Sequence, residues 1–270
     1  MNGRKPARDG LKNIWRLAVP AVTVVLIVWL WDFYVQFSEV PPYILPGPGA
    51  VANALWADRD ILFPAFLVTA QITLVALAAG LAGGVALAIL LVQSKWVELA
   101  LYPLAVILQV TPIIAIAPLV LIYAPSNQAA LLICAFIVAF FPILANMVQG
   151  LKSVDHNLDS MFTLYGATRF QRIFFLQIPA AQPYFMAGLR IGGGLALIAA
   201  VVAEFAAGSA GVNSGLAFRL LEAQYRLNIP RLFAALALLA LLGVMIFAIT
   251  SLISWLVLRR WHESSVRREM

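Results

Sequence analysis

Apolar residues run in long, nearly unbroken blocks, and polar residues are confined to the short intervals between them. Six blocks approach or exceed the roughly 20 residues that cross a bilayer as helix. They are predicted at residues 17–37, 64–92, 99–123, 129–150, 184–207 and 232–258. The runs are continuous, not alternating, which argues for helices against barrel strands. The first block ends in Trp29, Trp31, Phe33 and Tyr34, rings that settle at a membrane interface. Asp32 lies among them and is expected to be interfacial. Pro41, Pro42, Pro46 and Pro48 rule out a regular helix at the start of the interval 38–63. Gly49 to Trp56 is expected as a short surface helix. The second block is rich in small residues (Gly80, Gly83, Gly84), which let helices approach closely in lipid.

Lys95 to Glu98 is expected as a tight turn. The third block contains Pro103, Pro112 and Pro118, which remove three backbone donors and kink the helix. Gln109 and Thr111 flank the middle proline. They either satisfy the freed backbone groups locally or line a pathway hinge with Pro112 and Pro118. Ala124 to Gln128 is a short turn before the fourth block. The fifth block is softened by Gly192, Gly193 and Gly194. Leu216 to Leu227 is expected as a short amphipathic helix before the last block.

Composition agrees with this pattern: 63% of the chain is hydrophobic and 11% charged, against about 25% charged in ordinary soluble domains. The reading is an all-α polytopic membrane protein with six transmembrane helices. A basic tail (1–16) precedes a single membrane domain (17–258), and a second basic tail (259–270) follows. The first block is too long for a signal peptide and lacks a small-residue cleavage site, so it reads as a retained span. Of the 18 Lys and Arg residues, only Arg59, Arg219, Arg226 and Arg231 fall on the side opposite the tails. The positive-inside rule then places both termini in the cytosol. The same asymmetry explains a pI of about 9.8, so nucleic acid is not needed as a partner, and the expected surroundings are membrane lipids.

Cys134 is the one cysteine and reads as a buried spectator; His156 and His262 are the only histidines and make no metal cluster. The chain has no G-x-x-x-x-G-K-[ST] loop and no H-E-x-x-H. No enzyme chemistry is expected of it, and no cofactor bound by it.

One polar interval stands out. Residues 151–183 read LKSVDHNLDSMFTLYGATRFQRIFFLQIPAAQP. Asp155 is a good N-cap and Gly166 a good C′ residue for a helix over His156 to Tyr165. Thr168-x-x-Gln171 is a capping box opening a second helix, expected to end by Pro179, with Pro183 in the first turn of the fifth span. Leu158, Met161, Phe162 and Tyr165 fall at i, i+3, i+4 and i+7, one apolar face. That face either packs on the protein's own helices or docks on another protein. The second helix, with Phe170, Ile173, Phe174 and Phe175 beside Arg169 and Arg172, suits the inner membrane interface.

Gly166, nine residues, then Leu176-Gln177-Ile178-Pro179 resembles the EAA loop of ABC-importer permeases, of usual form EAA–x3–G–x9–I–x–L–P. Further phrases are similar to the nitrate/sulfonate/taurine type: Gly150-Leu151-Lys152-Ser153-Val154-Asp155, Gly166-Ala167-Thr168-Arg169, Gly188-Leu189-Arg190-Ile191-Gly192, Val202-Ala203-Glu204, and Thr111-Pro112 with Ala115 and Pro118-Leu119. The resemblance spans about residues 40–260. It implies a type I ABC-importer permease fold in a bacterial inner membrane and no enzyme activity in this chain. ATP and Mg would be bound by a separate cytosolic ATPase dimer. The other implied partners are a second permease copy or paralogue and an external substrate-binding protein. The cargo would be a small solute of the nitrate, sulfonate, taurine, bicarbonate or vitamin-precursor kind. By the resemblance, Asp159, Ser160, Met161, Phe162, Tyr165, Gly166, Ala167, Arg169 and Pro179 would form the ATPase-coupling contact. Gln109, Thr111, Pro112, Pro118, Gly192, Gly193 and Glu204 would belong to the pathway or its gate.

The sequence departs from the pattern in places. Ser160-Met161-Phe162 stands where Glu-Ala-Ala is usual, with the acidic residue missing or displaced to Asp159. The segment after Glu204 is altered to Gly208 and Gly211-Val212-Asn213-Ser214-Gly215. Glu204, about 30 Å along its span at 1.5 Å per residue, reads as an outer-end charge, either solvated or used in gating or receptor docking. Arg190 reads as an inner-end anchor to phosphates or a partner for an acidic group. The competing reading is an ion-coupled secondary transporter, which would be expected to carry mid-membrane carboxylates and an internal repeat.

Overall fold

The computed structural model describes residues 7–208 and 214–259, with the backbone alone described for residues 7–17. Arg4, Lys5, the second basic tail beyond Arg259, and Gly211-Val212-Asn213 therefore lie outside the described residues. The described chain is helical and builds one membrane body. Among the described residues, five helices are long and apolar enough to cross a membrane, or six if one bent pair counts as a single crossing.

Helix α1 (Ala7–Phe37) carries the first span and runs through Pro20. It stands apart from the body, and its apolar window is uncovered by the rest of the chain. At its far end, Trp31 lies 6.0 Å from Phe233 between ring centroids. Helix α2 (Pro48–Ala57) starts on a proline at its first position, where the missing N–H costs nothing. Asp58 alone separates it from α3 (Arg59–Gln93), which carries the second span.

Two expectations need correction around the third span. The turn before it is a single residue, Ser94, and Lys95 already opens α4 (Lys95–Val110). The span itself is not one kinked helix. It is α4 and α5 (Ile113–Tyr123), set at 101° to each other. Pro112 causes the break by excluding Thr111 from the helical region; Thr111 (φ −71°, ψ 123°) and Pro112 (φ −60°, ψ 120°) are both extended. Thr111 also closes α4, donating through both its N–H (3.1 Å) and its Oγ1 (2.7 Å) to the Ile107 carbonyl. Pro103 and Pro118 lie inside continuous helices.

Helix α6 (Asn127–Leu151) is the centre of the body, packed between α3 and the fifth span. Helix α7 (His156–Leu164) and α8 (Arg169–Arg172) form the hairpin that follows. The second hairpin helix does not end by Pro179 as expected. After α8 a π turn, Ile173–Gln177, leads directly into α9 (Ile178–Ala207). The Ile178 N–H reaches the Ile173 carbonyl, an i→i−5 bond. Pro179 then has no N–H to continue that wider ladder, and the chain resumes the α-helix without stopping. The result is one continuous stretch of 39 helical residues, about 58 Å at 1.5 Å per residue, well beyond the hydrocarbon thickness of about 30 Å.

Helix α10 (Leu216–Tyr225) follows, then α11 (Ile229–Leu258), the last span. Small residues let these helices meet closely. Gly150 of α6 abuts Ala181 and Tyr184 of α9, and Gly188 abuts Pro142, Ile143 and Asn146. The buried core is dominated by Ala, Leu and Ile from α3, α6, α9 and α11.

Candidate functional site

The hairpin of α7 and α8 is a pre-organised structure. Asp155 caps α7 by accepting from the Asn157 N–H at 2.7 Å. At the other end Gly166 takes φ +67°, the left-handed conformation that glycine adopts without strain. Its N–H bonds the Thr163 carbonyl and the Ala167 N–H bonds the Phe162 carbonyl, at 3.0 and 2.9 Å. This is a Schellman termination. Thr168 and Gln171 then make a reciprocal capping box: the Thr168 N–H donates to Gln171 Oε1 at 2.8 Å, and the Gln171 N–H donates to Thr168 Oγ1 at 3.3 Å. Arg172 closes the hairpin, pairing with Asp159 at 3.4 Å and donating to Thr163 Oγ1. At its base, Lys152 pairs with Glu98 of α4 at 2.5 Å.

The apolar face of α7 is left largely open by the protein's own helices, with Phe162 its half-buried member. Leu158 and Met161 are 47% and 46% exposed, and Tyr165 is 82% exposed. Asp159, Ser160, Phe162 and Ala167 are half-buried, while Gly166 and Arg169 are exposed. Met161, Phe162, Tyr165, Ala167, Gln171 and Phe175 line an open cavity of about 330 Å³. Pro179 is half-buried and lies apart from this cavity, in the continuous helix above it.

The elbow between α4 and α5 places Gln109, Thr111 and Pro112 together on an uncovered surface, with Pro118 exposed on α5. Gly192 and Gly193 are elsewhere. Both are buried, Gly192 against Ile143 of α6 and Gly193 against Ile246 of α11. Their role within the chain is close helix packing. Gly194 faces open space.

Glu204 is not solvated, contrary to one of the two sequence expectations. It is 2% exposed. Its Oε1 accepts from Thr69 Oγ1 of α3 at 2.8 Å, and its Oε2 accepts from the Ala217 N–H of α10 at 2.9 Å. Thr69 Oγ1 in turn accepts from the Leu216 N–H at 2.8 Å. Arg190 is exposed and donates to Ser254 Oγ of α11 at 3.2 Å.

Sequence reasoning missed Thr69 and two ion-paired residues, Asp58 and Arg231. The Arg231 guanidinium holds Asp58 through two bonds, 2.6 Å from Nε and 2.5 Å from Nη2, with both side chains largely covered. The partners are more than 130 positions apart in the chain, so no local spacing links them. The available signal was weaker: Asp58 and Arg231 each sit at the margin of an apolar block.

The family model described as "Binding-protein-dependent transport system inner membrane component" matches residues 80–262. The riboflavin transport system permease protein of Chloroflexus aurantiacus is 30% identical over 94% of this chain and 95% of its own length. The formylaminopyrimidine transport permease protein of Halalkalibacterium halodurans is 30% identical over 88% of this chain and 94% of its own. A putative aliphatic sulfonates transport permease protein of Bacillus subtilis is 27% identical over 97% and 92%.

Proposed function

Because the chain belongs to the family of binding-protein-dependent transport system inner membrane components, we propose that its α7–α8 hairpin is where a cytosolic ATPase drives an ABC importer of which this chain is the permease subunit. The observation that carries this reading is the largely open apolar face of α7, held on a capped and ion-paired frame. An apolar face left open by the chain's own packing calls for a partner. A helix fixed at both ends transmits displacement as a rigid body.

In this reading the tails and the hairpin are cytosolic, the side that carries the excess of Lys and Arg. ATP and Mg are bound by the ATPase, and no cofactor by this chain. Met161, Phe162 and Tyr165 make the apolar contact, with Ser160 and Asp159 at its edge, Gly166 and Ala167 at its turn, and Arg169 beside it. The bulk of Met161 and Phe162 fits an ATPase groove wider than one shaped for Glu-Ala-Ala. Pro179 supports the contact from the continuous helix, outside it.

Two copies of the chain, or one copy and a paralogue, enclose the pathway. The elbow of Gln109, Thr111 and Pro112 lines it, with Pro118 on the following helix. ATP-driven closure of the two ATPases moves the hairpins, and the elbow opens toward an external binding protein that delivers solute. The cargo is a small solute of the kinds the relatives are named for, among them riboflavin, formylaminopyrimidine and aliphatic sulfonates.

The test is Gly166→Val. A β-branched residue at φ +67° costs about 1–2 kcal/mol and misdirects the hairpin. The variant is expected to insert in the membrane normally but to lose ATPase co-purification and ATP-driven uptake. Unchanged coupled uptake would overturn the docking role.

A further inference from the structure

Helix α10 has an unusual start. Its N-cap position is Gly215, which offers no side chain for the first free N–H groups. Those groups are satisfied by two other helices. The Leu216 N–H goes to Thr69 of α3, and the Ala217 N–H goes to Glu204 of α9. Thr69 and Glu204 are themselves joined by the Thr69 hydroxyl, and both are buried. A Cβ on residue 215 would fall inside the Glu204 carboxylate, so glycine is required there for the cap to form.

A buried carboxylate is tolerated only while its hydrogen bonds are made. Helix α10 therefore cannot swing away from α3 and α9 without stranding Glu204 and Thr69. On its other face α10 presents Arg219, Glu222 and Arg226, in which Glu222 pairs with both arginines at 2.8 and 2.9 Å. Arg226 and Tyr225 are exposed there.

We infer that Thr69 and Glu204 are positioning residues that clamp α10 to the ends of α3 and α9 remote from the hairpin, so that load placed on α10 by a docked binding protein reaches both spans. This rests on the permease reading above, which puts α10 on the outer face. In this role Glu204 meets neither solute nor solvent; it carries force between three helices.

The test uses the full complex with its ATPase and binding protein in liposomes. Thr69→Val keeps the side-chain shape and removes both hydroxyl bonds, and Thr69→Ser keeps them. ATPase activity is measured with and without loaded binding protein, and amide exchange is followed at residues 216–220. Thr69→Val is expected to lower the stimulation by binding protein about tenfold and to speed that exchange by a similar factor, with unstimulated ATPase activity unchanged. Thr69→Ser is expected to behave as wild type. Full stimulation in Thr69→Val, or equal loss of stimulated and unstimulated activity, overturns the clamp. If the wild-type chain neither retains an ATPase nor responds to a binding protein, the permease reading falls instead.

Discussion

Arg172 reaches back from α8 to Asp159 of α7 at 3.4 Å and also donates to Thr163, so the second hairpin helix braces the first. Asp159 is thereby occupied within the chain. It faces Arg172, although it is the one acidic residue near the family's usual glutamate position. Both side chains retain solvent contact, at 28% and 45% exposure, and such pairs contribute about 0.5 kcal/mol to stability. Arg172→Ala is therefore expected to leave the thermal midpoint of the purified protein nearly unchanged. It should reduce ATPase retention on a pull-down roughly twofold to threefold, the factor that such an energy corresponds to. A large drop in midpoint with full ATPase retention would show that the brace serves folding and not coupling.

The Asp58–Arg231 pair behaves differently because it is covered. It joins the α2–α3 junction to the first turn of α11, closing the end of the body near α10. Removing one partner leaves the other charge half-buried and unpaired, a loss between the roughly 0.5 kcal/mol of an exposed pair and the roughly 3 kcal/mol of a fully buried one. Asp58→Ala is expected to lower the thermal midpoint in detergent clearly. The exchanged pair, Asp58→Arg with Arg231→Asp, should recover part of the loss. No recovery in the exchanged pair would mean that packing of the individual side chains matters more than the pairing.

The spans, the hairpin and its caps were legible because they are written in local order. Asp155, Gly166, Thr168 and Gln171 act on residues within four positions of themselves. The broken third span was legible only in part. Three prolines looked alike, yet only Pro112 breaks the helix, where Thr111 can close α4 through its hydroxyl. The continuous helix through Pro179 was missed because a π turn leaves no mark in residue type. Of the two readings of Glu204, the solvated one fails for a different reason. Counting residues along a helix gives depth in the membrane but not what covers the side chain, and the cover comes from Thr69 and α10.

Glu222 gives α10 a pH dependence. Hydrogen bonding to Arg219 holds its carboxyl below the usual range, opposed by burial and assisted by the charges of Arg219, Arg226 and Arg231. A carboxyl depressed in the folded state contributes stability that is fully present above its unfolded value and is lost as pH falls through the folded value. The last turns of α10, which Glu222 ties to Arg219 and Arg226, should thus be unchanged at neutral pH and loosen only below the ordinary carboxylate range. Amide exchange at residues 216–226, measured across pH and corrected for its intrinsic rate, would read this out directly. Glu222→Gln should exchange faster there at neutral pH and should show a flatter pH profile. A profile identical to wild type would assign the acid response to another group.

Gly150 tests the central packing. A Cβ there would lie 2.8 Å from Tyr184 Cβ and 2.9 Å from Ala181 Cα. The second of these is backbone, so no rotamer change relieves it, and α6 and α9 must separate. Overpacking of this kind costs about 1–3 kcal/mol, and it acts at the base of the hairpin, just before Leu151 and Lys152. Gly150→Ala is expected to lower the thermal midpoint and also to weaken ATPase retention, because the frame carrying α7 shifts with the end of α6. Gly49→Ala is the control: nothing lies within 4 Å of its added methyl, and a change within about 0.5 kcal/mol is expected there. If Gly150→Ala were as stable as Gly49→Ala, the close approach of α6 and α9 would not be the contact that holds the hairpin in place.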